Sequence, residues 1–516
     1  MIRTIAGLAQ IGVNKDLPKH ELPENAWTDA SNMRFYDGAA RQFLGHRQVY
    51  GTPTNTPQFV MPVNIAGARY WIYATAANCY AVTWNGSAYV HTDITHATPR
   101  TGVVNQWTGG VLSGIPILNV GDTSKVPMAW DLNTANDFVD LTNWPASTYC
   151  KALRPFKNFL IALHVTKSGT TYPFMVKWSH PASPGALPSS WDPTDATKDA
   201  GETDLAEGHD VIVDGGQLRD SFIIYKENST WRMDFTGGVY VFRFSKVLGS
   251  NGILNRNCWV EHEGRHYVLS ASDVIMHDGQ SGASILDKAT RRWLFSRIDT
   301  QYIHLCFVFK NPHYNEIWFC YPLVGSTACD NAMVYNMVDK TVSFRSLPNL
   351  NHAANGGIDA TAAGSWSSDI SDWDGDGSTW NQLELTPPAQ VCVGGSSDGY
   401  LYGFDLSNEF GASLPDAYIE RSGLSFGDPK AVKLVRGIRP RISGTDGDVV
   451  SITVGAADSL DDEPAWGDVM AHTIGDTVAN DCMVAGRYIA VRFESDGIDP
   501  WRLDSYDIDV IPAGAW

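Results

Sequence analysis

The chain reads as all-β: a β-propeller with an extended N-terminal arm and a small C-terminal β-sandwich-like module. Three observations predict this. Short aromatic-rich strands punctuated by turn residues succeed one another from about residue 58 to 410, without the 3.6-residue periodicity of helices. The 47 glycines provide tight turns, and the 18 Trp, 20 Tyr and 20 Phe suit pleated, half-buried surfaces. Comparable strands start near residues 222, 266 and 316, close to the roughly 40–50 residues of a propeller blade. Radial closure lets such a chain bury apolar surface without long free edges.

The arm spans residues 1–57. Pro18 and Pro23 hold it extended, because proline fixes its own φ and moves its predecessor out of the helical region. Trp27 anchors it, residues 32–36 read as a strand, and Asp37-Gly38 as a turn. Its anchors Leu17, Leu22, Trp27, Phe35 and Phe43 form no core of their own, so the arm must pack on something else. It has neither a basic n-region nor an apolar h-region, so it does not read as a signal peptide. The propeller is assigned to residues 58–414. Strands at 69–73 and 79–84 precede an Asn85-Gly86 hairpin turn, and 159–163 and 174–178 form the next pair. Strand 221–225 leads into 229–235, where Trp231, Met233 and Phe235 alternate with polar residues. Strands at 266–270, 274–277, 316–321, 331–335, 341–344 and 400–404 repeat the scheme. The C-terminal module, residues 415–516, carries strands at 448–454, 487–493 and 503–510.

Composition narrows the function. The net charge is −19, with 38 Lys and Arg against 57 Asp and Glu, and no cationic cluster suited to gripping phosphates. An acidic wall is compatible with DNA sliding past it, and equally with a surface that simply stays soluble. Nothing approaches the ~18 apolar residues of a membrane helix. The eight cysteines are scattered without a CxxC pair and read as free thiols of a reducing cytoplasm.

Motifs that resemble catalytic signatures fail on context. His262-Glu-Gly-Arg-His266 has the letters of HExxH, but a zinc site needs both histidines on one helix face. Here strand-like residues flank a Glu263-Gly264 tip, so a hairpin without zinc is expected. Gly395-Ser-Ser-Asp-Gly399 matches GxSxG, yet it runs strand to strand where a nucleophile elbow runs strand to helix. Asp372, Asp374 and Asp376 with Gly377 match the opening of a calcium loop. Leu383 occupies the place of its bidentate glutamate, so these three are a candidate calcium site or a solvated acidic tip. No cofactor fingerprint and no placed acid pair is visible, and the chain reads as a non-enzyme.

The opening carries the most specific signal. Ile5-Ala-Gly-Leu-Ala-Gln-Ile-Gly-Val-Asn14, the spaced prolines, then Ala26-Trp27-Thr-Asp29-Ala30, Asn32, Arg34-Phe35, Asp37-Gly38-Ala39 and Arg41 form one pattern. It resembles the N-terminus of tail nozzle or tail-hub proteins of short-tailed bacteriophages, of the tail tubular protein B and packaged-DNA-stabilisation types. Residues 421–442 also resemble segments near the ends of phage tail proteins. The resemblance implies a virion structural protein: a homohexameric ring below the head-to-tail adaptor protein, closing and gating the DNA ejection channel. The partners it implies are further copies of the chain, the adaptor, tail fibre or spike proteins, and double-stranded DNA passing without specific binding. The location it implies is the phage tail, assembled in the host cytoplasm. Within the pattern, Trp27, Arg34, Phe35 and Arg41 are the candidate assembly residues. The alternatives are a glycan-binding or glycan-cleaving propeller and a receptor-binding tail component.

Overall fold

The computed structural model describes the chain except for residues 1, 16, 66–67, 86–87, 239, 358–389, 412–415, 496, 498 and 516. Five four-stranded antiparallel sheets follow one another from Phe59 to Ser284, and a seven-stranded sheet completes the ring. That last sheet is two blades sharing one strand, Val342–Gly357. Its first part pairs with Cys329–Asn336 (Tyr335 opposite Val342) and its second with Gln390–Ser396 (Gly356 opposite Val391). Five sheets and two fused blades make a seven-bladed β-propeller, the fold class the sequence predicts.

The aromatic richness resolves into packing between blades. Phe156 and Phe159 of the third blade meet Phe222 and Phe242 of the fourth, with Trp178 edge-on to Phe242 at 5.3 Å. Each such ring, fully buried, contributes roughly 1.5–3 kcal/mol. In the fourth blade, Ser221–Lys226 is buried along almost its whole length, because it is a central strand with a blade against each face. Thr230–Phe235, further out, keeps the alternating pattern.

The N-terminal segment, expected as an extended arm over residues 1–57, is divided between two bodies. His46–Gln48 adds the outermost strand to the seventh blade, opposite Leu401–Phe404, so the two ends of the propeller close on each other and leave no open edge there. Residues before it are strands of the C-terminal module. One sheet runs Met33–Tyr36, Ala39–Gln42, Arg502–Ala515, Ala431–Ser443, Asn480–Gly486, with Ile2–Ala6 also on Arg502–Ala515. The facing sheet runs Asp29–Ser31, Ala417–Leu424, Tyr488–Ser495, Val449–Ala457, Ala465–Trp466, with Met470–Thr473 also on Val449–Ala457. Ile438, Ile452, Phe493, Leu503 and Tyr506 fill the space between them, and this core continues into the propeller through Tyr267, Phe319 and Phe344.

Among the described residues there is one α-helix, Lys288–Arg297 between the fifth and sixth blades, which has no counterpart in the sequence reading. Asp287 caps it, its carboxylate accepting from the amides of Ala289 and Thr290. Leu294 is buried in the shared core and Trp293 packs against Phe344 at 4.6 Å.

Candidate functional site

The four candidate assembly residues lie within the chain's own module. Trp27 is fully buried between the sheets, 6.4 Å from both Phe493 and Tyr506, and its indole N–H donates to the Leu8 carbonyl. Phe35 is buried in the same core, while Arg41, half-buried, sits opposite Arg502. Arg34 is buried where the sandwich meets the propeller. Trp27, Arg34 and Phe35 thus pack inside the chain's own fold, so any part they play in assembly runs through the strands they hold in place. The short alternating strands around these residues need a second sheet to cover them, and residues 417–515 supply it.

Arg34 organises a buried ion cluster. Its Nε donates to Glu316 Oε1 at 2.7 Å, and its Nη2 to Glu316 Oε2 at 3.1 Å and Asp405 Oδ2 at 3.0 Å. Arg345 Nη1 donates to Asp405 Oδ1 at 3.1 Å, and its Nη2 to the Leu44 carbonyl. Asn311 and Trp318 supply further donors to Asp405 and Glu316. Two guanidinium groups against two carboxylates leave no net charge, the condition under which such a group of ions tolerates burial. Burial pushes the Glu316 carboxyl up despite Arg34. It pushes Asp405 the same way, but there Arg34 and Arg345 prevail and hold the carboxyl below its usual range. The guanidinium of Arg34 also lies 3.4 Å from the centre of the Tyr314 ring. The cluster fastens the N-terminal strands to the sixth and seventh blades.

A second tie joins the module's own ends. Arg421 donates to the carbonyls of Lys19 and Leu22 at 2.9 Å each, which fixes the loop containing Pro18 and Pro23 against the C-terminal strands.

On the propeller axis the inner strands leave two adjoining cavities, of about 270 and 480 Å³, that share Gly109, Arg154, Trp259 and Glu261. Asp214, fully buried, is their hub. Arg154 grips it through both guanidinium arms at 2.9 and 2.7 Å, and the Trp259 indole N–H and the Asn257 amide donate to the same carboxylate. Burial opposes ionisation of Asp214, but these donors hold its carboxyl below the usual range. A Cβ on Gly216 would collide with Trp259, so glycine there lets the indole pack directly on the inner strand of the fourth blade. Asn257 continues the network to Asn105, whose amide reaches the carbonyls of His304 and Cys306. Arg154 is neutralised by Asp214, and the space is of small-ligand size.

The HExxH letters fall in a hairpin of the fifth blade, His262 opposite Arg265, with Glu263 and Gly264 at positive φ in the turn. His266 shares its face with Glu261 and so lies on the opposite face from His262. His266 is buried: its Nδ1 and His277 Nε2 each lie 2.7 Å from the Tyr225 hydroxyl, and its Nε2 lies 2.8 Å from the Gln217 carbonyl. Burial lowers the His266 pKa to about 3 and that of His277 to about 4. This His–Tyr–His group joins the fourth blade to the fifth, a contact that no local sequence signal announces. The GxSxG letters are a turn, Gly399 N–H donating to the Ser396 carbonyl before Leu401–Phe404. Asp372, Asp374 and Asp376 lie outside the described residues. Among the described residues no cluster of His, Cys, Asp or Glu is arranged to hold a metal, and no helix is long and apolar enough to cross a membrane. The eight cysteines are free thiols, all buried except the half-buried Cys482.

No protein-family model matches the chain, and no curated protein matches it. Among solved structures it is similar to the WD40 β-propeller domain of Doa1, with 10% identity and a TM-score of 0.39 over 72% of this chain and 100% of that one. It is similar to a catalytically inactive virginiamycin B lyase from Staphylococcus aureus, with 8% identity and a TM-score of 0.38 over 70% of this chain and 98% of that one. It is also similar to PorZ of Porphyromonas gingivalis, with 8% identity and a TM-score of 0.36 over 85% of this chain and 46% of that one.

Proposed function

We propose that the chain is a structural subunit of a short-tailed bacteriophage virion, forming the ring-shaped nozzle or hub of the tail. In this role it sits below the head-to-tail adaptor, closes and gates the ejection channel, meets fibre or spike proteins, and acts without catalysis. One observation carries the reading. The segment that bears the nozzle-like pattern, from Ile5 to Arg41, folds together with residues 417–515 into a single two-sheet module beside the ring of blades. The two regions that resemble phage tail proteins, at opposite ends of the sequence, thus share one two-sheet module suited to serve as a platform. The axial cavities, of about 270 and 480 Å³ with Trp259 and Arg154 on their walls, are of small-ligand size and have no room for a duplex, so the channel of this reading lies between copies.

The test is the mass of the purified chain in solution together with class-averaged images. A sixfold ring with an open lumen is the expected result. A 56.5 kDa monomer at micromolar concentration, or a trimeric spike, overturns the reading.

A further inference from the structure

The module's first sheet has three end strands: Met33–Tyr36, which is buried against the propeller, and the two outward edges Ile2–Ala6 and Asn480–Gly486. Across one region it is four strands wide, in the order Ile2–Ala6, Arg502–Ala515, Ala431–Ser443, Asn480–Gly486, every neighbour antiparallel. Among the described residues, neither Ile2–Ala6 nor Asn480–Gly486 has a backbone hydrogen bond on its outer side. Neither strand contains a proline or a lysine, the residues that commonly blunt an edge. Both expose apolar side chains, Ile2 at 57% and Met483 at 81%.

We infer that Asn480–Gly486 of one copy pairs with Ile2–Ala6 of a second copy, so that this sheet continues from subunit to subunit. The inference rests on the reading of the chain as a ring-forming subunit. Parity supports it. With four alternating strands, a head-to-tail repeat places the first strand of the next copy antiparallel to the last strand of this one, which keeps the ladder regular. Pairing of unlike edges is heterologous, and a heterologous contact closes into a ring when its rotation allows. Charge is complementary as well. Residues 458–486 hold seven carboxylates (Asp458, Asp461, Asp462, Glu463, Asp468, Asp476 and Asp481) and no Lys or Arg. Residues 1–15 hold Arg3 and Lys15 and no carboxylate; Lys15 is paired with Asp29 at 2.9 Å, whereas Arg3, on the edge strand itself, reaches the Phe426 carbonyl at 3.4 Å. Arg3 on one edge strand and Asp481 on the other favour the head-to-tail pair over like-with-like pairing.

The test uses the full chain. Cys482, a half-buried thiol on the same edge strand, is first replaced by Ser; in that background a variant with Thr4→Cys and Met483→Cys, treated with a short bismaleimide, should give a ladder of covalent dimers, trimers and larger species on a denaturing gel. The background alone and either single variant should give none. Asp481→Lys with Met483→Lys should shift the assembly to the monomer mass, with an unchanged circular dichroism spectrum because both side chains are exposed. Dimers from one single-cysteine variant mean a two-fold contact and overturn the inference. A ring that keeps its mass in the lysine variant and yields no ladder overturns it while leaving the ring reading standing. A monomeric parent overturns both.

Discussion

Replacing Arg34 by Met removes a guanidinium that makes three charge-assisted hydrogen bonds, at 2.7, 3.1 and 3.0 Å, to two buried carboxylates. Taken singly, bonds to charged groups contribute about 1.5–3 kcal/mol each, but simple addition overstates the loss. Asp405 keeps Arg345 and Asn311, whereas Glu316 keeps only the Trp318 indole. The deficit therefore falls on Glu316, and the range for a broken buried pair, about 3–5 kcal/mol, applies. Its pH dependence has a definite sign. The Glu316 carboxyl is already raised above its ordinary value of 4.5, and losing Arg34 raises it further. A group with a raised folded-state pKa favours the fold fully below its unfolded pKa, and that contribution is lost as pH rises through the folded one. The variant's deficit against the parent at the same pH should thus be larger at about pH 7.5 than at about pH 5. Adding Glu316→Gln should restore most of the loss, because a neutral pair needs no counter-charge. Urea unfolding followed by tryptophan fluorescence at the two pH values measures all three quantities. Amide exchange over Met33–Gln42 should rise by about a thousandfold, the equivalent of roughly 4 kcal/mol. A loss under about 1 kcal/mol, or an equal loss at both pH values that Glu316→Gln does not relieve, refutes the argument.

Replacing His262 and His266 together by Ala should leave the zinc content unchanged by atomic absorption. It should cost about 1–3 kcal/mol, since the Tyr225 hydroxyl loses a buried partner; stoichiometric zinc in the parent that the variant lacks would contradict the hairpin geometry. Deleting residues 1–45 takes strands from both sheets of the module and exposes the core around Phe493 and Tyr506. The truncated chain should lose ring assembly and bind a hydrophobic dye, and full-size rings from it would show that these strands are dispensable. The assembled protein should bind duplex DNA with a dissociation constant of about 10⁻⁴ M or weaker at physiological salt. Sub-micromolar binding with a steep salt slope would point instead to a clamp acting through the Arg-rich strand Ala431–Ser443.

The blades were legible because each is built from neighbours in sequence. The hairpins at 221–235 and 262–277 carry their own alternation and turn residues, and the pairing that forms is the nearest one available. Closure of the ring was not legible. His46–Gln48 is a three-residue strand whose partner, Leu401–Phe404, lies some 350 residues away, and period-2 alternation does not encode which strand will be opposite. The same holds for Ile2–Ala6, which reads as a plain extended segment until Ser505–Asp509 is placed against it. Helix Lys288–Arg297 was missed because only Thr290 and Leu294 are buried on it, too few for a helical stripe, although the Asp287 cap was a usable signal. Arg34 illustrates the limit at the candidate site. The nozzle-like pattern singles Arg34 out, but its partner Glu316 lies 282 positions on, beyond the reach of any local signal.

The position of charge bears on where a duplex can pass. A propeller invites the idea that its own axis is the conduit, but between the inner strands lie cavities of about 270 and 480 Å³, with Trp259 and Arg154 on the walls of both. Those inner strands are tied together by the buried Arg154–Asp214 pair, and breaking such a pair costs about 3–5 kcal/mol. A lumen between copies has no such barrier, and its wall would be drawn from surfaces near the subunit joints. Asp481 lies on one of the free edges, and the head-to-tail pairing inferred above would bring it, with the acidic residues that precede it in sequence, towards Arg3 of the next copy. Carboxylates left over there, beyond those that Arg3 can neutralise, would repel phosphates at the joint. The same acidic surplus that steers assembly would then keep a passing duplex from adhering.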